Sequence, residues 1–225
     1  MDWRVRVYDA GAGLYGFLTS HRVWLRANHK LVRHFPHEVA RICDLGCGAG
    51  ATVIAEAQAC PTAEVTGVDI SRKMIDRAER AVGKCDKGVR ERIRLLTADA
   101  AHLPFEEATF DVVTGHSFLY LVPDRSDVLR EVVRVLRPGG RAVFMEPRAG
   151  GFSPSDVLAM GKDPRFLASM SIWRVISGYS KRFTANELLE ILAEAGLRPI
   201  GTEDVLGGLG VICCAEKPTT SSRIA

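Results

Sequence analysis

The 225-residue sequence lacks the features that would set it apart from ordinary globular proteins. It has no large excess of charge of one sign, since 30 Lys and Arg face 27 Asp and Glu for a formal net charge of +3. It has no apolar run long enough to span a bilayer, and its start has no apolar segment of the secretory kind. These absences argue against a general nucleic-acid-binding protein and against a membrane or secreted protein. We therefore expect a cytoplasmic protein with no nucleic-acid partner.

The six cysteines do not form the framework of a disulfide-rich domain. Cys213 and Cys214 are adjacent in a strand-like run, and Cys43 and Cys47 flank a glycine turn. Reduced thiols fit this placement better than disulfides do. Because no second pair completes a zinc site around Cys43 and Cys47, we predict no metal.

The small net charge hides an asymmetry at the N-terminus. Residues 1–41 carry seven basic and three acidic side chains, for a local charge of +4. Apolar residues recur there at three- and four-residue steps over residues 14–35, which is typical of a helix with one apolar face. Arg22, Arg26 and Arg33 fall on the opposite face. Such a face is usually just solvated, but a basic amphipathic helix can also contact an anionic membrane surface.

The middle of the chain alternates between short apolar runs and segments with helical spacing. Five runs read as buried strands, at residues 41–45, 64–70, 93–99, 110–115 and 141–146. Helical spacing is found between them, at residues 51–59, 71–82 and 125–136. We expect Ser71 to cap the second helix and Pro138-Gly139-Gly140 to end the third. This alternation favours a parallel sheet with helices on both faces.

The pattern lapses over residues 148–182 and then resumes with a helix and a hairpin. The helix is predicted over 184–195, with Glu187 at capping-box spacing from Thr184. Two strand candidates, 197–205 and 209–216, are separated by a Gly-Gly pair that indicates a hairpin. The sequence thus predicts an α/β fold. We expect a doubly wound, mainly parallel, seven-stranded sheet with a C-terminal antiparallel hairpin.

A glycine loop follows the first predicted strand, at the edge of the sheet where ligands bind in parallel folds. Gly46, Gly48 and Gly50 permit positive φ and close approach of a ligand to the backbone. Asp69 ends the second strand and can accept hydrogen bonds from both hydroxyls of a ribose. The same residues also fit a plain tight turn with a helix-capping Asp69. In addition, Gly46-x-Gly48-x-x-Ala51 satisfies the dinucleotide fingerprint, which leaves a nicotinamide cofactor open.

The end of the third strand bears on this ambiguity. Asp99 can accept a hydrogen bond from an adenine amino group while the N–H of Ala100 donates to a ring nitrogen. A pyrophosphate would require a third small residue and a helix N-terminus that faces it. A methionine-type amine would instead favour an acid near the loop, such as Asp44.

Five ordered segments resemble the successive motifs of class I S-adenosylmethionine-dependent methyltransferases, and the likeness covers roughly residues 40–147. They are Ile42–Gly50, Gly67–Ser71, Ala98–Ala100, Phe110–Val113 and Leu136–Gly140. The resemblance implies a methyltransferase domain over residues 40–216 with S-adenosylmethionine as cofactor. Around it we expect an N-terminal helical lid at 1–39, a substrate-lid insertion at 148–182 and a flexible tail at 217–225.

The resemblance also assigns roles at the methionyl end of the cofactor. Gly46 and Gly48 match the loop beneath the methionyl part, and Asp44 matches the acid near the amine. Cys47 stands at a loop position that is usually small, which a cysteine side chain satisfies. His116 matches a position that faces the methyl-donor end.

At the adenosine end the resemblance names four residues. Asp69 matches the ribose ligand, and Ile70 would lie against the adenine face. Asp99 matches the acceptor for the adenine amino group, and Ala100 matches the backbone donor.

The N-terminal segment resembles the lid of the C-methyltransferases of ubiquinone and menaquinone biosynthesis, and also bacterial phosphatidylethanolamine N-methyltransferases. The likeness rests on Tyr8-Asp9, Leu14-Tyr15, Leu18–Arg22 and Trp24–Arg26. It implies that Tyr15 approaches the cofactor. His21 and Asn28 interrupt the apolar stripe, either as satisfied core groups or as part of the site. We take His116 and His21 as candidate catalytic residues, either bases or groups that orient the acceptor.

The acceptor is only partly constrained by the sequence. The segment Thr114–Phe118 lacks the Asn/Asp-Pro-Pro-Tyr/Phe signature of amino methylases of nucleobases. We therefore expect a small-molecule or lipid-like acceptor with an apolar part, between the N-terminal helix and residues 148–182. That insertion is either a substrate lid or a plain covering of the sheet. The alternatives are an NAD(P)-dependent oxidoreductase and a non-catalytic S-adenosylmethionine-binding protein. The methylated atom and the oligomeric state stay open.

Overall fold

The computed structural model describes residues 22–150 and 153–219, and its seven strands form one sheet in the order β3-β2-β1-β4-β5-β7-β6. The strands are β1 Arg41–Leu45, β2 Glu64–Asp69, β3 Ile93–Thr97, β4 Phe110–His116, β5 Leu136–Pro147, β6 Arg198–Val205 and β7 Gly210–Glu216. The helices are α1 Arg22–Val32, α2 Ala51–Ala59, α3 Arg72–Val82, α4 Lys87–Arg90, α5 Arg125–Val135, α6 Pro154–Met160, α7 Pro164–Tyr179 and α8 Ala185–Glu194. Short 3-10 turns lie at Leu119–Leu121 and Leu206–Gly208.

The strand pairing confirms the predicted fold class. Strands β1 to β5 pair in parallel, and β7 pairs antiparallel with both β5 and β6. The dinucleotide-binding Rossmann sheet is parallel with the order 3-2-1-4-5-6. The antiparallel β7 between β5 and β6 therefore speaks against the nicotinamide alternative.

Helices cover both faces of the sheet and bury alternate strand residues on opposite sides. On one face Ile42 and Val112 pack in a core with α1, α2 and α7, which includes Trp24. On the other face Cys43 and Val113 pack in a core with α5 and α8. Because both faces are covered, the strands β1, β4 and β7 are buried along nearly their whole length.

The predicted helix caps are confirmed where the structure describes them. The Ser71 side chain accepts a hydrogen bond from the N–H of Met74 at the start of α3. At the start of α8, Thr184 and Glu187 form the reciprocal capping box. Gly196, with φ of +94°, follows the end of α8.

The third predicted helix ends within one residue of its predicted end, but not at Pro138-Gly139-Gly140. Helix α5 ends at Val135 and the chain enters β5 directly, so Pro138-Gly139-Gly140 lie within that strand instead of stopping the helix. The β4–β5 register shifts there, and an irregular strand position tolerates both proline and a glycine at φ of +78°. The first residue of the predicted tail has defined contacts. Lys217 is fixed, because its Nζ donates to the carbonyl of Leu136 at 2.8 Å and its carbonyl accepts from Gly139.

The predicted 148–182 insertion forms α6 and α7, and α7 packs against α1. The indole N–H of Trp24 donates to Ser169 Oγ at 2.9 Å, and the rings of Trp24 and Trp173 meet edge to face at 5.2 Å. The segment therefore covers the sheet together with α1, and its role as a lid stays a prediction.

Parts of the two predicted lids and of the predicted tail lie outside the described residues. These are residues 1–21, which contain Tyr15 and His21, and residues 151–152 and 220–225. Among the described helices, none is both long and apolar enough to cross a membrane.

Glu146, near the end of β5, anchors the chain that follows β4. Its buried carboxyl accepts hydrogen bonds from the N–H groups of Phe118 at 3.0 Å, Leu119 at 2.7 Å and Tyr120 at 3.2 Å. Burial raises the pKa of Glu146 to about 7, although these N–H bonds oppose the rise. One carboxyl group thus fixes the segment after β4 relative to β5.

We predict that Glu146→Gln lowers the free energy of unfolding by about 2 kcal/mol, since an amide N–H₂ would face a backbone donor that now has an oxygen partner. Urea unfolding followed by circular dichroism measures the change. Glu190→Gln, on the exposed face of α8, is the matched control and should stay within about 0.5 kcal/mol of wild type. Equal stabilities for the two variants would contradict the anchoring role.

Candidate active site

The loops after β1, β2, β3 and β4 meet at the carboxyl edge of the sheet around a cavity of about 360 Å³. Its walls include most of the predicted cofactor residues, namely Gly46, Gly48, Asp69, Ile70, Asp99, Ala100 and His116. Parallel strands bring these residues together because their carboxyl ends share one edge. Asp44 and Cys47, also predicted, do not line this cavity.

The glycine loop has the backbone geometry that the sequence predicted. Gly46, Gly48 and Gly50 have φ values of +67°, +53° and +88°. A Cβ at Gly50 would lie 3.1 Å from the Cα of Ala78, so glycine lets α3 pack against the loop. A Cβ at Gly48 would meet nothing nearer than 3.9 Å, and this open space allows a ligand to approach the backbone.

Asp69 joins the glycine loop to the start of α3. Its carboxylate accepts hydrogen bonds from the N–H of Gly48 at 2.9 Å and from the N–H of Ser71 at 2.8 Å. Asp69, which the sequence predicts to bind the ribose, therefore also stabilises the loop and the start of α3. The two predicted roles of Asp69, ribose binding and helix capping, are compatible.

The adenosine end of the cavity is apolar with one acid at its rim. Ile70 is 54% exposed, which is unusual for a large aliphatic side chain and leaves an apolar surface on the cavity wall. Asp99 accepts from the N–H of Ala101 at 2.9 Å. Ala100 is buried beside it. A flat, apolar ring with an amino edge fits these walls.

Asp44 lies under the loop instead of in the cavity wall. It is 1% exposed, and Thr114 Oγ1 lies 3.0 Å from its Oδ1, while its Oδ2 has no hydrogen-bond partner. Burial raises the pKa of Asp44 to about 7; the hydrogen bond from Thr114 opposes the rise and the charge of Asp69 adds to it. Asp44 thus lies next to the glycine loop, as predicted, but its side chain is buried.

Glu56 is a buried acid that the sequence analysis missed. It lies on α2, and its Oε1 is 2.8 Å from the same Thr114 hydroxyl. Burial, followed by the neighbouring Asp44, raises its pKa. The one signal in the sequence was an acid amid the apolar residues of Ala51–Ala59.

The remaining loop residue, Cys47, is a buried and neutral thiol. Burial raises its pKa, with nearby acids adding to the effect, and its backbone N–H donates to the carbonyl of Val68 at 3.0 Å. Its side chain packs as a small apolar group, as the sequence led us to expect.

His116 lies at the end of β4, where burial lowers the pKa of its imidazole to about 4. The ring is therefore neutral at physiological pH. Its Nε2 is buried without a hydrogen-bond partner, and its ring centroid lies 5.7 Å from that of Trp24. An unpartnered nitrogen at the edge of a cavity is available to a bound molecule.

A second cavity, of about 630 Å³, lies on the other side of the glycine loop. It is bordered by Trp24, Leu25 and Asn28 of α1, by the start of α2, and by basic residues of α3. The two cavities share Gly46, Gly48, His116 and Ser117.

Ser117, at this junction, was not predicted from the sequence. It has φ of +55°, an uncommon backbone conformation for a residue other than glycine, and its Oγ accepts from the indole N–H of Trp173 at 3.0 Å. The geometry thus provides two connected spaces with a neutral imidazole between them.

The observed residues fit S-adenosylmethionine. The open backbone at Gly48 leaves room for the methionyl part of that molecule, and the exposed Ile70 near the carboxylate of Asp99 suits its adenine.

Comparison with known proteins agrees with this assignment. Residues 43–144 match the family described as a methyltransferase domain. The chain is 37% identical over 169 residues to the 27-O-demethylrifamycin SV methyltransferase of Amycolatopsis mediterranei, covering 73% of this chain and 56% of that protein. It is 30% identical over 181 residues to the demethylmenaquinone methyltransferase of Lactobacillus johnsonii, covering 75% of this chain and 72% of the relative.

Among solved structures, the cyclase SpnF superposes with a TM-score of 0.73 at 20% identity, with 96% of each chain covered. This likeness establishes the fold alone. The cyclase shows that one fold serves more than one reaction, so function must be argued from the site. The sequence relatives and the family match, together with the sheet order and the cavity, show that the chain belongs to the class I S-adenosylmethionine-dependent methyltransferases, whose cofactor is S-adenosylmethionine.

Proposed function

We propose that the protein transfers the methyl group of S-adenosylmethionine to a small-molecule or lipid-like acceptor with an apolar part. The observation that carries this proposal is the meeting of two cavities at Gly46, Gly48, His116 and Ser117. The smaller cavity would hold the cofactor and the larger one the acceptor, so that this junction would lie between the donor and the acceptor. When bound, the cofactor supplies an electrophilic methyl group on a sulfonium.

The chain's own residues then contribute by positioning and by excluding water. The glycine loop and Asp69 hold the donor, and Asp99 with Ala100 would select its adenine. Holding both reactants in line can supply much of the lowering of the barrier. Trp24 and Ser117, both buried next to His116, limit the access of water at the junction.

His116 is better suited to orient the acceptor than to take its proton. A base with a pKa of about 4 holds a proton poorly at neutral pH, whereas efficient general bases have pKa values near the working pH. A neutral imidazole can still donate or accept a hydrogen bond through its free Nε2. His21, the other candidate, lies outside the described residues.

The walls of the larger cavity support an acceptor with an apolar part. Trp24, Leu25 and Ile54 supply apolar surface, and the buried Oδ1 of Asn28 has no hydrogen-bond partner. The relatives from Amycolatopsis and Lactobacillus are named for small molecules, a rifamycin and a menaquinone precursor. A polycyclic or prenylated molecule with one polar group suits these walls.

Residues 148–182 contribute to this proposal as a lid on the acceptor. None of the described residues in that segment lines either cavity, but Trp173 fixes Ser117 at their junction. Opening of α7 would therefore release a residue at the junction. The proposed lid thus acts on the junction through Ser117.

A non-catalytic protein that only binds the cofactor is the second candidate. The second cavity next to the cofactor site opposes this alternative, because a protein that only binds the cofactor needs no space for an acceptor. Incubation of the protein with methyl-labelled cofactor and a cell extract separates the two. Label in a small molecule or a lipid supports methyl transfer, and binding without any labelled product supports the alternative.

The role of Asp69 in the cofactor site can be tested by substitution. Asp69→Asn keeps one acceptor oxygen for the loop and removes the charge, and we expect it to weaken S-adenosylhomocysteine binding about tenfold or more in calorimetry. Asp86→Ala, an exposed position on the loop before α4, is the control and should bind as wild type does. Wild-type affinity in Asp69→Asn, or stabilisation by NADH in place of S-adenosylhomocysteine, would overturn the cofactor assignment.

The neutral state of the His116 imidazole can be tested by nuclear magnetic resonance. The Cε1–H signal that disappears in His116→Asn should keep its chemical shift in wild type from about pH 5.5 to 8, because the pKa lies near 4. With the identified acceptor, His116→Ala should lower kcat about tenfold and change S-adenosylhomocysteine affinity by less than about threefold, because His116 forms only one part of the cofactor cavity wall. A titration midpoint inside that pH range would point to a general base instead.

Peripheral membrane contact through α1 is part of the proposal, since Arg26 on that helix and Arg33, one residue beyond its end, are exposed and seven positions apart, which places them on one face. Replacing Arg26 and Arg33 by Ala should lower binding to phosphatidylserine vesicles by about 1 kcal/mol per residue in co-sedimentation. Lys87→Ala with Arg90→Ala, on exposed α4, removes the same charge elsewhere. Equal binding by the two double variants, or none by wild type, would exclude this contact.

A further inference from the structure

Three buried side chains meet where β1, α2 and β4 pack together beneath the glycine loop. The hydroxyl oxygen of Thr114 lies 3.0 Å from Asp44 Oδ1 and 2.8 Å from Glu56 Oε1. All three side chains are excluded from solvent. Among the described residues, no ion pair is made by either carboxyl group.

Hydrogen-bond counting limits how this trio can be protonated. A threonine hydroxyl carries one hydrogen, so it can donate to one of its two carboxyl neighbours only. The other contact then needs a hydrogen from the acid. Two ionised carboxylates here would also place two like charges in a buried site with no cation. The trio therefore holds at least one proton between Asp44 and Glu56.

The groups around the trio do not supply a compensating charge. Cys43 on β1 and Cys47 in the loop are buried thiols whose pKa values are raised by burial. Asp69 on β2 adds negative charge, and Cys60 follows α2. The guanidinium of Arg92 near the end of α2 is bonded to the carbonyls of Ala57, Cys60 and Ala63. Asp44 Oδ2 and Glu56 Oε2 are left without partners.

Charges in the cofactor cavity change the pKa of Asp44 in this trio. The charge of Asp69, a residue of the cavity wall, raises the pKa of Asp44 beneath it. A positive group in the same cavity must act on Asp44 in the opposite direction. The methionyl part of the cofactor carries such a group, its ammonium.

We propose that Glu56 is a positioning residue of the cofactor site, which shares one proton with Asp44 through Thr114 and so sets the charge that receives the cofactor's ammonium group. This inference rests on the proposed cofactor site. Below about pH 7 the pair takes up a second proton and becomes neutral. Binding of the ammonium favours the singly charged pair, so the extra proton leaves to the solvent. Affinity therefore rises as pH increases from about 5.5 to 7.5 and then levels off.

The test is calorimetry of S-adenosylhomocysteine binding at several pH values, in buffers with different ionisation enthalpies. Wild type should release up to one proton per ligand near pH 6. Glu56→Gln cannot ionise and can donate an amide hydrogen to Thr114, which leaves the hydroxyl hydrogen of Thr114 for Asp44 and so favours the ionised form of Asp44. It should bind within about threefold of wild type at pH 8, with proton release displaced to lower pH by about one unit.

Further variants separate the proposal from a structural role. Asp44→Asn should abolish the pH dependence and bind about tenfold more weakly at pH 8. Glu190→Gln, exposed on α8, should reproduce wild type in every respect. Unchanged proton release and an unchanged pH midpoint in Glu56→Gln would overturn the role of Glu56. Failure of wild type to bind S-adenosylhomocysteine at any pH would instead overturn the cofactor site itself.

Discussion

The hydrogen bonds that Asp69 accepts from Gly48 and Ser71 are the interaction on which the site depends. One carboxylate at the end of β2 fixes both the loop after β1 and the first turn of α3. It can do so because parallel strands end at the same edge and because glycine allows the loop to fold back towards β2. Loss of this acceptor would free two donors at once, and the floor of the cofactor cavity would lose its shape.

Acids buried at this edge are costly to the fold and useful to the site. Asp44, Glu56 and Glu146 are all excluded from solvent, and burial raises the pKa of each. A carboxyl whose pKa is raised on folding stabilises the native state less as pH rises from its unfolded value through its folded one. These three groups therefore lower stability towards neutral pH. Proteins accept such costs where buried polar groups organise a functional site.

The proposed methyl transfer depends more on the relative position of the donor and the acceptor than on acid–base groups. A neutral His116 between two cavities is consistent with this demand, since it can hold an acceptor without competing for its proton. The likeness to a cyclase shows that the scaffold is not bound to methyl transfer. We propose methyl transfer for this chain because the larger cavity, formed by α1 and the glycine loop, lies beside the smaller one and offers space for an acceptor.

Local signals in the sequence determined much of the architecture. The positive φ of the loop glycines, the capping box at Thr184 and the cap at Ser71 depend on neighbours within a few residues, as does the alternation of apolar runs. Residues at strand ends could also be placed, because topology alone brings Asp69, Asp99 and His116 to one edge. Only the tertiary structure decided the rest. It places Glu56 and Asp44, 12 positions apart in the sequence, next to the same Thr114 hydroxyl. It also bonds the backbone N–H of Phe118 to Glu146. Finally, it continues the chain from α5 directly into β5, which contains Pro138. These outcomes depend on which distant groups share a buried space and on where a partner strand is available, and no local pattern encodes that.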